Sequence, residues 1–351
     1  MNDKVGIVVV GYGGMGGYHA DHLRKMEKFN LLGIYDIKPE RNAYAQSNGI
    51  KAYSSFEEVL NDPEVEIITC AAYNDVHKQI AIAAMEAGKN VISEKPVTMC
   101  SADLEDMIAV SEKTGKLFTV HQNRRWDNDY VTAKNIVEKN ELGRVFAIDS
   151  RVYGSRGIPG DWRGEKPHGG GMVLDWGVHL LDQALVFFGD RKLLRVYATL
   201  TNITNEEVDD GFRALLTFED GLEYQVEVFT NNFISAPRWY IAGENGTAVI
   251  DDWELNGKIV KIKDWDKIDA VPIKAGTGLT KTMAPRTDET IHEFPLEKII
   301  VNWNDYYDNI YDVLRNGAKQ LITHNQLRRS MKLMEAIFES ARTHSVIEFE
   351  S

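Results

Sequence analysis

Five glycines fall within seven residues, Gly11-Tyr12-Gly13-Gly14-Met15-Gly16-Gly17, directly after the apolar run Val5–Val10. Glycine loses more backbone freedom on folding than any other residue, so such a cluster needs a reason. Gly11, Gly13 and Gly16 fit G-x-G-x-x-G. That pattern is weak alone, but here it lies between a β-type run and a helical pattern over Tyr18–Lys28. A second strand-like run, Asn30–Tyr35, ends in Asp36, twenty residues beyond Gly16. Strand, glycine turn, helix, strand and acid in this order are the layout of a dinucleotide-binding βαβ unit. Gly11 would permit the tight turn, Gly13 the approach of a pyrophosphate, and Gly16 close packing of helix on strand. Gly14 and Met15 complete the turn at the helix N-terminus, where free N–H groups and the helix dipole favour an anion. A carboxylate at Asp36 accepts from ribose hydroxyls and repels a 2′-phosphate, which favours NAD over NADP. Lys38 and Arg41 stand just beyond it.

Strand and helix patterns go on alternating as far as "KLFTVHQ", which ends at Gln122. This predicts an α/β fold that begins with a doubly wound, mainly parallel Rossmann sheet over residues 1–122. Ligands of such sheets sit beyond the C-terminal strand ends. Those ends carry Gly11–Gly16, Asp36, Ala72-Tyr73-Asn74, Glu94-Lys95-Pro96 and Gln122-Asn123-Arg124. One cleft can therefore collect all five groups.

The period changes after residue 122. Five strand-like runs follow, with hairpin signals at Asp220-Gly221 and Asn245-Gly246. Residues 123–351 are read as a second α/β domain with a mostly antiparallel sheet. Helices over Val131–Asn140, Met172–Phe188 and Trp303–Arg315 are expected to cover one face. The other face would need a partner, which points to a homodimer or homotetramer. Residues 265–298 show no clear period and are read as a long irregular segment at the site or an interface. A helix, Leu327–Thr343, and a short strand, Val346–Glu350, end the chain.

Composition narrows the function. Lys plus Arg number 40 against 53 Asp plus Glu, a net charge of −13, which disfavours binding to a nucleic-acid backbone. No run approaches the length of a membrane span, and Val5–Val10 is too short for a signal peptide core. The two cysteines, Cys70 and Cys100, form no metal or disulfide pattern. A cytoplasmic protein with a small-molecule partner and no metal is the expectation.

Two clusters carry chemistry. One is Glu94-Lys95-Pro96. The other is "HGGGMVLDWGVHLLDQ", residues 168–183, where Asp175 and His179 stand four apart, as on one face of a helix. With "GYGGMGGYHA", "NDVH" (Asn74–His77), "SEKPVT", "GENGTA" and "NDYYDNIYDVLRNG", these stretches make the chain resemble the glucose–fructose oxidoreductase and inositol dehydrogenase (Gfo/Idh/MocA) family over nearly its whole length. The resemblance implies a Rossmann domain followed by a domain with a large open sheet that mediates oligomers. It implies that Lys95, Asp175 and His179 are catalytic. His179 would take the proton of a substrate hydroxyl, Lys95 would polarise the reacting oxygen, and Asp175 would orient the substrate.

Ala72, Asn74, His77, Glu94, Lys95, Asn123, Trp162 and Arg163 are expected to serve the cofactor, together with Gly11–Gly16 and Asp36. Lys95, Arg124, Arg156, His168, Asp175 and His179 are expected to contact substrate. Ala72-Tyr73 replaces the Thr-Pro common in the family, a departure at the cofactor loop. The expected function is NAD-dependent oxidation of a secondary hydroxyl of a sugar, inositol or related polyol. A nucleotide sensor without catalysis, or a reductase of a diol, imine or tetrapyrrole, is the alternative.

Overall fold

Val5–Val10 is buried at every position and forms β1. A strand apolar on both faces belongs in a sheet covered on both sides. In the computed structural model, which describes residues 4–189, 191–267 and 271–349, β1 is joined by β2 (Phe29–Tyr35), β3 (Ile67–Cys70), β4 (Asn90–Ser93) and β5 (Phe118–Val120). All pair in parallel, in the order β2-β1-β3-β4-β5. Five helices connect them: α1 (Gly14–Leu23), α2 (Pro39–Ser47), α3 (Phe56–Asn61), α4 (His77–Glu86) and α5 (Ser101–Thr114). Strand order reverses at β1, between β2 and β3, and a crevice opens at such a switch point. The first helix is shorter than Tyr18–Lys28 suggested at its end and longer at its start, because the glycine turn itself is helical from Gly14.

The second sheet has nine strands. They are β6 (Val145–Tyr153), β7 (Leu193–Thr201), β8 (Gly211–Phe218), β9 (Glu223–Phe229), β10 (Trp239–Gly243), β11 (Gly246–Ile250), β12 (Gly257–Ile262), β15 (Ile291–Pro295) and β16 (Ile347–Glu348). A small hairpin, β13 (Ile273–Ala275) and β14 (Gly278–Thr280), stands apart. The order is β15-β12-β11-β10-β6-β9-β8-β7-β16, antiparallel except for β6 against β9. Asp220-Gly221 turns β8 into β9, with Gly221 at φ +81°. At the next hairpin the turn is Glu244-Asn245. Gly246 lies inside β11, where a Cβ would come within 2.5 Å of the Val260 carbonyl oxygen.

α6 (Asn128–Glu138), α7 (Val178–Phe187) and α9 (His324–Thr343) accompany this sheet. α8 (Asp305–Asn316) does not, contrary to the expectation for Trp303–Arg315. It crosses to the first sheet's side of the molecule: Tyr307 meets His19 of α1 and Phe29 of β2, Arg315 pairs with Glu66 at 2.7 Å, and Lys28 with Asp308 at 2.9 Å. Its strongly amphipathic face of Tyr306, Tyr307, Ile310 and Tyr311 is buried there. The segment 265–298 is not irregular throughout. Its end supplies β15, an edge strand on β12, while residues 268–270 lie outside the described residues. Glu350, the expected end of the last strand, also lies outside them.

Candidate active site

The glycine turn fits a dinucleotide. Gly11 sits at φ +92°, and a Cβ there would lie 2.5 Å from the Ala71 carbonyl oxygen. A Cβ on Gly16 would lie 1.8 Å from the Gly11 carbonyl oxygen, so only glycine lets α1 lie this close to β1. Gly13 and Gly14 face open space, with nothing within 4 Å of a built Cβ. Gly13 also caps α1 without any side-chain acceptor for the first N–H groups. These are the features of an anion-binding helix start.

Gly11, Gly13, Asp36, Lys38, Arg41, Ala72 and Tyr73 are among the residues lining a cleft of about 530 Å³. The Asp36 carboxylate is fixed at its mouth by the amides of Tyr12 (2.6 Å) and Lys38 (2.8 Å). Met15 is half-buried on α1.

Beyond β4, Lys95 reaches from the first sheet to the turn that precedes α7. Its Nζ donates to Asp175 Oδ1 and to the Asp175 carbonyl, both at 3.1 Å. Arg163 Nε donates to the other carboxylate oxygen at 3.1 Å, and its Nη1 pairs with Asp161 at 2.9 Å. Burial opposes ionisation of Asp175, but the Lys95 and Arg163 cations outweigh it and hold the carboxyl below its ordinary value. His179 is buried. Burial first, then the Lys95 and Arg124 charges, press its pKa well below the usual imidazole value. Among the described residues its Nδ1 has no hydrogen-bond partner. A neutral imidazole with a free nitrogen thus lies within the field of a lysine ammonium.

Asp175 and His179 do not share an α-helical face as their spacing suggested. Val173–Gly177 forms a π turn, and α7 begins only at Val178. Asp209 sets this start. Its carboxylate accepts from Val173 N at 2.8 Å and its carbonyl from Met172 N at 2.9 Å. Gly171, at φ +104°, lets it approach: a Cβ there would lie 2.3 Å from Asp209 Oδ1. Wide turns of this kind often mark functional sites.

The other expected residues divide. Arg124 borders the site, paired to Asp127 at 2.9 Å and stacked on Trp176 at 4.1 Å. Trp162 lies under Arg163 and beside Tyr73. Asn123 is half-buried at the turn after β5. Asn74 is buried and donates to the Gly169 carbonyl at 3.1 Å, tying the two halves together.

Three residues fall elsewhere than expected. His77 is fully buried between the carbonyls of Ala72 and Pro96, 3.1 Å from each, so it braces the cofactor loop rather than facing the cleft. His168 pairs with Asp75 at 3.1 Å and lines the dinucleotide cleft, not the pocket around Asp175. Arg156 stands exposed on its loop, outside the group gathered at Asp175, because the chain after β6 turns out into solvent.

The residues behind Glu94 had no signal in the sequence beyond their presence in quoted motifs. Glu94 Oε1 accepts from His19 Nε2 at 2.7 Å and from His121 Nδ1 at 2.8 Å, and Oε2 from the Lys95 amide at 3.1 Å. Tyr307 of α8 closes the set with a hydroxyl contact to His19 Nδ1.

Comparison with known proteins follows the same two units. Residues 5–122 match the model of the oxidoreductase family with an NAD-binding Rossmann fold, GFO_IDH_MocA, and residues 130–249 match the GFO/IDH/MocA C-terminal domain. An NAD-binding protein from Listeria innocua, of solved structure, is 46% identical with a TM-score of 0.95, over 99% of this chain and 100% of its own. The Escherichia coli K12 oxidoreductase YdgJ is 28% identical over 369 residues, 99% of either chain. scyllo-Inositol 2-dehydrogenase (NADP(+)) IolW of Bacillus subtilis is 25% identical over 357 residues, 99% of this chain and 97% of its own. No helix among the described residues is long and apolar enough to cross a membrane.

Proposed function

Since the chain belongs to the Gfo/Idh/MocA oxidoreductase family, we propose that it oxidises a secondary hydroxyl of a sugar, inositol or related polyol, with NAD as hydride acceptor. The observation that carries this reading is the array of Lys95, Asp175 and Arg163 beside a neutral, buried His179. Nicotinamide supplies the hydride chemistry when bound. Gly11, Gly13, Gly14, Gly16 and Asp36 would hold the dinucleotide.

The protein's own residues do the rest. His179 takes the hydroxyl proton, and its depressed basicity keeps it unprotonated at neutral pH. Lys95 stabilises the negative charge that develops on the oxygen, and a fixed ammonium in a partly buried site does this more strongly than water. Asp175, held by two cations, accepts from a neighbouring substrate hydroxyl and orients the ring. Arg124, stacked on Trp176 beside the site, would donate to a further substrate hydroxyl.

Asp36 supports NAD over NADP, since its anchored carboxylate would repel a 2′-phosphate. The inositol dehydrogenase among the relatives supports the polyol class. The test is absorbance of reduced nicotinamide with NAD, then NADP, against inositols, aldoses, glycosides and sugar phosphates at about pH 9. Reduction of NAD with one polyol class is the expected result; silence across the panel with dinucleotide binding intact would overturn the substrate reading.

We also infer assembly through the open face of the nine-stranded sheet. That face exposes Phe146, Tyr197, Leu215 and Tyr240 at 37–46%. A monomeric mass by light scattering at micromolar concentration would refute it.

A further inference from the structure

Behind the proposed site, four elements meet at one carboxylate. His19 comes from α1, Glu94 from the end of β4, His121 from the end of β5 and Tyr307 from α8. His19, Glu94 and His121 are 0%, 5% and 0% exposed. An unpaired buried carboxylate is costly, so the arrangement of donors around Glu94 has to be complete.

The polar atoms admit one economical assignment of protons. Tyr307 O–H donates to His19 Nδ1, and His19 Nε2–H donates to Glu94 Oε1. His121 Nδ1–H donates to the same oxygen, and the Lys95 amide donates to Oε2. Glu94 then accepts three hydrogen bonds as an anion while both imidazoles stay neutral. His121 Nε2 is left as a bare lone pair, without a partner among the described residues. Its ring lies in T-shaped contact with Trp303 and Tyr306, and burial there disfavours a second proton.

A metal does not fit the trio. Tetrahedral coordination at about 2.05 Å would hold ligand atoms about 3.3 Å apart, whereas His19 Nε2 and His121 Nδ1 stand 2.7 and 2.8 Å from Glu94 Oε1, at hydrogen-bond distance.

We propose that His19, His121 and Tyr307 are positioning residues that keep Glu94 as a single, fixed, buried anion, and that Glu94 through the Lys95 amide sets the peptide that projects Lys95 onto Asp175. The claim for Lys95 rests on the dehydrogenase reading above; the claim for the network does not. Burial pushes His121 down to about 4, while Glu94, opposed by burial, is drawn well below its ordinary value by His121 and His19. The other titratable groups within the field of Glu94 are Lys95, Cys70 of β3, His77 of α4, His179 of α7, and Tyr306 and Tyr307 of α8.

The test is ¹⁵N-histidine NMR of the full chain, with His19 and His121 assigned from H19Q and H121N. His19 is expected as the Nε2–H tautomer and His121 as the Nδ1–H tautomer, with His121 lacking a second proton from about pH 5.5 to 8.5. Titration of His121 near the ordinary imidazole value of about 6.5, or the opposite tautomer at either histidine, overturns the network. Two variants then test positioning. H121L removes the donor and should lower kcat at least about tenfold, with KM and dinucleotide Kd within about twofold. H121N restores an N–H at the same place and should recover most of the loss. Wild-type kcat in H121L, or no recovery in H121N, overturns it. A crystal structure of H121L supplies the same decision without turnover: Lys95 Nζ should leave Asp175, and its staying in place overturns the proposal. Correct tautomers with no polyol oxidation by the wild type would sink the dehydrogenase reading and keep the network.

Discussion

Lys95 and Asp175, eighty positions apart, are joined twice: the lysine ammonium donates at 3.1 Å both to the aspartate's carboxylate and to its carbonyl. The double contact fixes the ammonium at the seam between the Rossmann sheet and the helix carrying His179. D175N removes the negative partner of both Lys95 and Arg163. Turnover should fall by about 10²-fold or more, as for loss of a preorganised charge, while dinucleotide affinity changes little. Steady-state kinetics beside calorimetric titration with NAD checks both.

His179 is held neutral by burial and by the Lys95 and Arg124 cations. A base with a lowered pKa works once deprotonated, so the acid limb of the rate profile should lie below about pH 6.5, the ordinary imidazole value. K95M removes one depressing charge and should move that limb upward. H179A should cost about 10²–10⁴ in kcat, the usual range for a general base, with NAD binding preserved. A pH–rate series on the three proteins reads the limb and the loss in kcat, and calorimetric titration with NAD reads the binding.

Asp209 anchors the start of the His179 helix, and burial, reinforced by Asp210, raises its carboxyl to about 7. The folded state therefore holds this proton more tightly than the unfolded chain. The stabilisation is complete below about pH 3.9. It is lost as pH rises towards 7 at about 1.4 kcal/mol per unit. D209N keeps an acceptor for Val173 and cannot ionise, so its stability should gain on the wild type as pH rises through this window. Urea midpoints at a series of pH values measure the gap.

Gly13 and Gly16 should fail differently. G16A drives a Cβ to 1.8 Å from the Gly11 carbonyl oxygen and should unfold or distort the first unit. G13A meets nothing within 4 Å, so its melting temperature should stay near that of the wild type. Its methyl group enters the cleft, and NAD affinity should drop about tenfold or more, about 1.4 kcal/mol. Calorimetry and thermal melts separate the two effects.

The Rossmann half was legible because its signals are local. Consecutive buried residues make β1, the spacing of Gly11, Gly13 and Gly16 makes the turn, and Asp36 follows β2 at the expected distance. Lys95 and Asp175, read from two separate motifs, are in contact in the folded chain. Helix α8 was misplaced because an amphipathic pattern names a buried face but not what buries it. Tyr306 and Tyr307 face His19 and His121 rather than the second sheet. His77 and His168 went to other places because a histidine's role depends on which carbonyls or carboxylates reach it.

The sequence by itself determined the elements, the glycine turn and the residue types available for chemistry, since each depends on neighbours a few positions away. Only the tertiary structure decided the π turn at Asp175, imposed by Asp209 thirty-four residues later in the chain, and the donors around Glu94, drawn from α1, β5 and α8. Burial of a charge is decided by contacts between distant segments, and no local pattern records where its partners will come from.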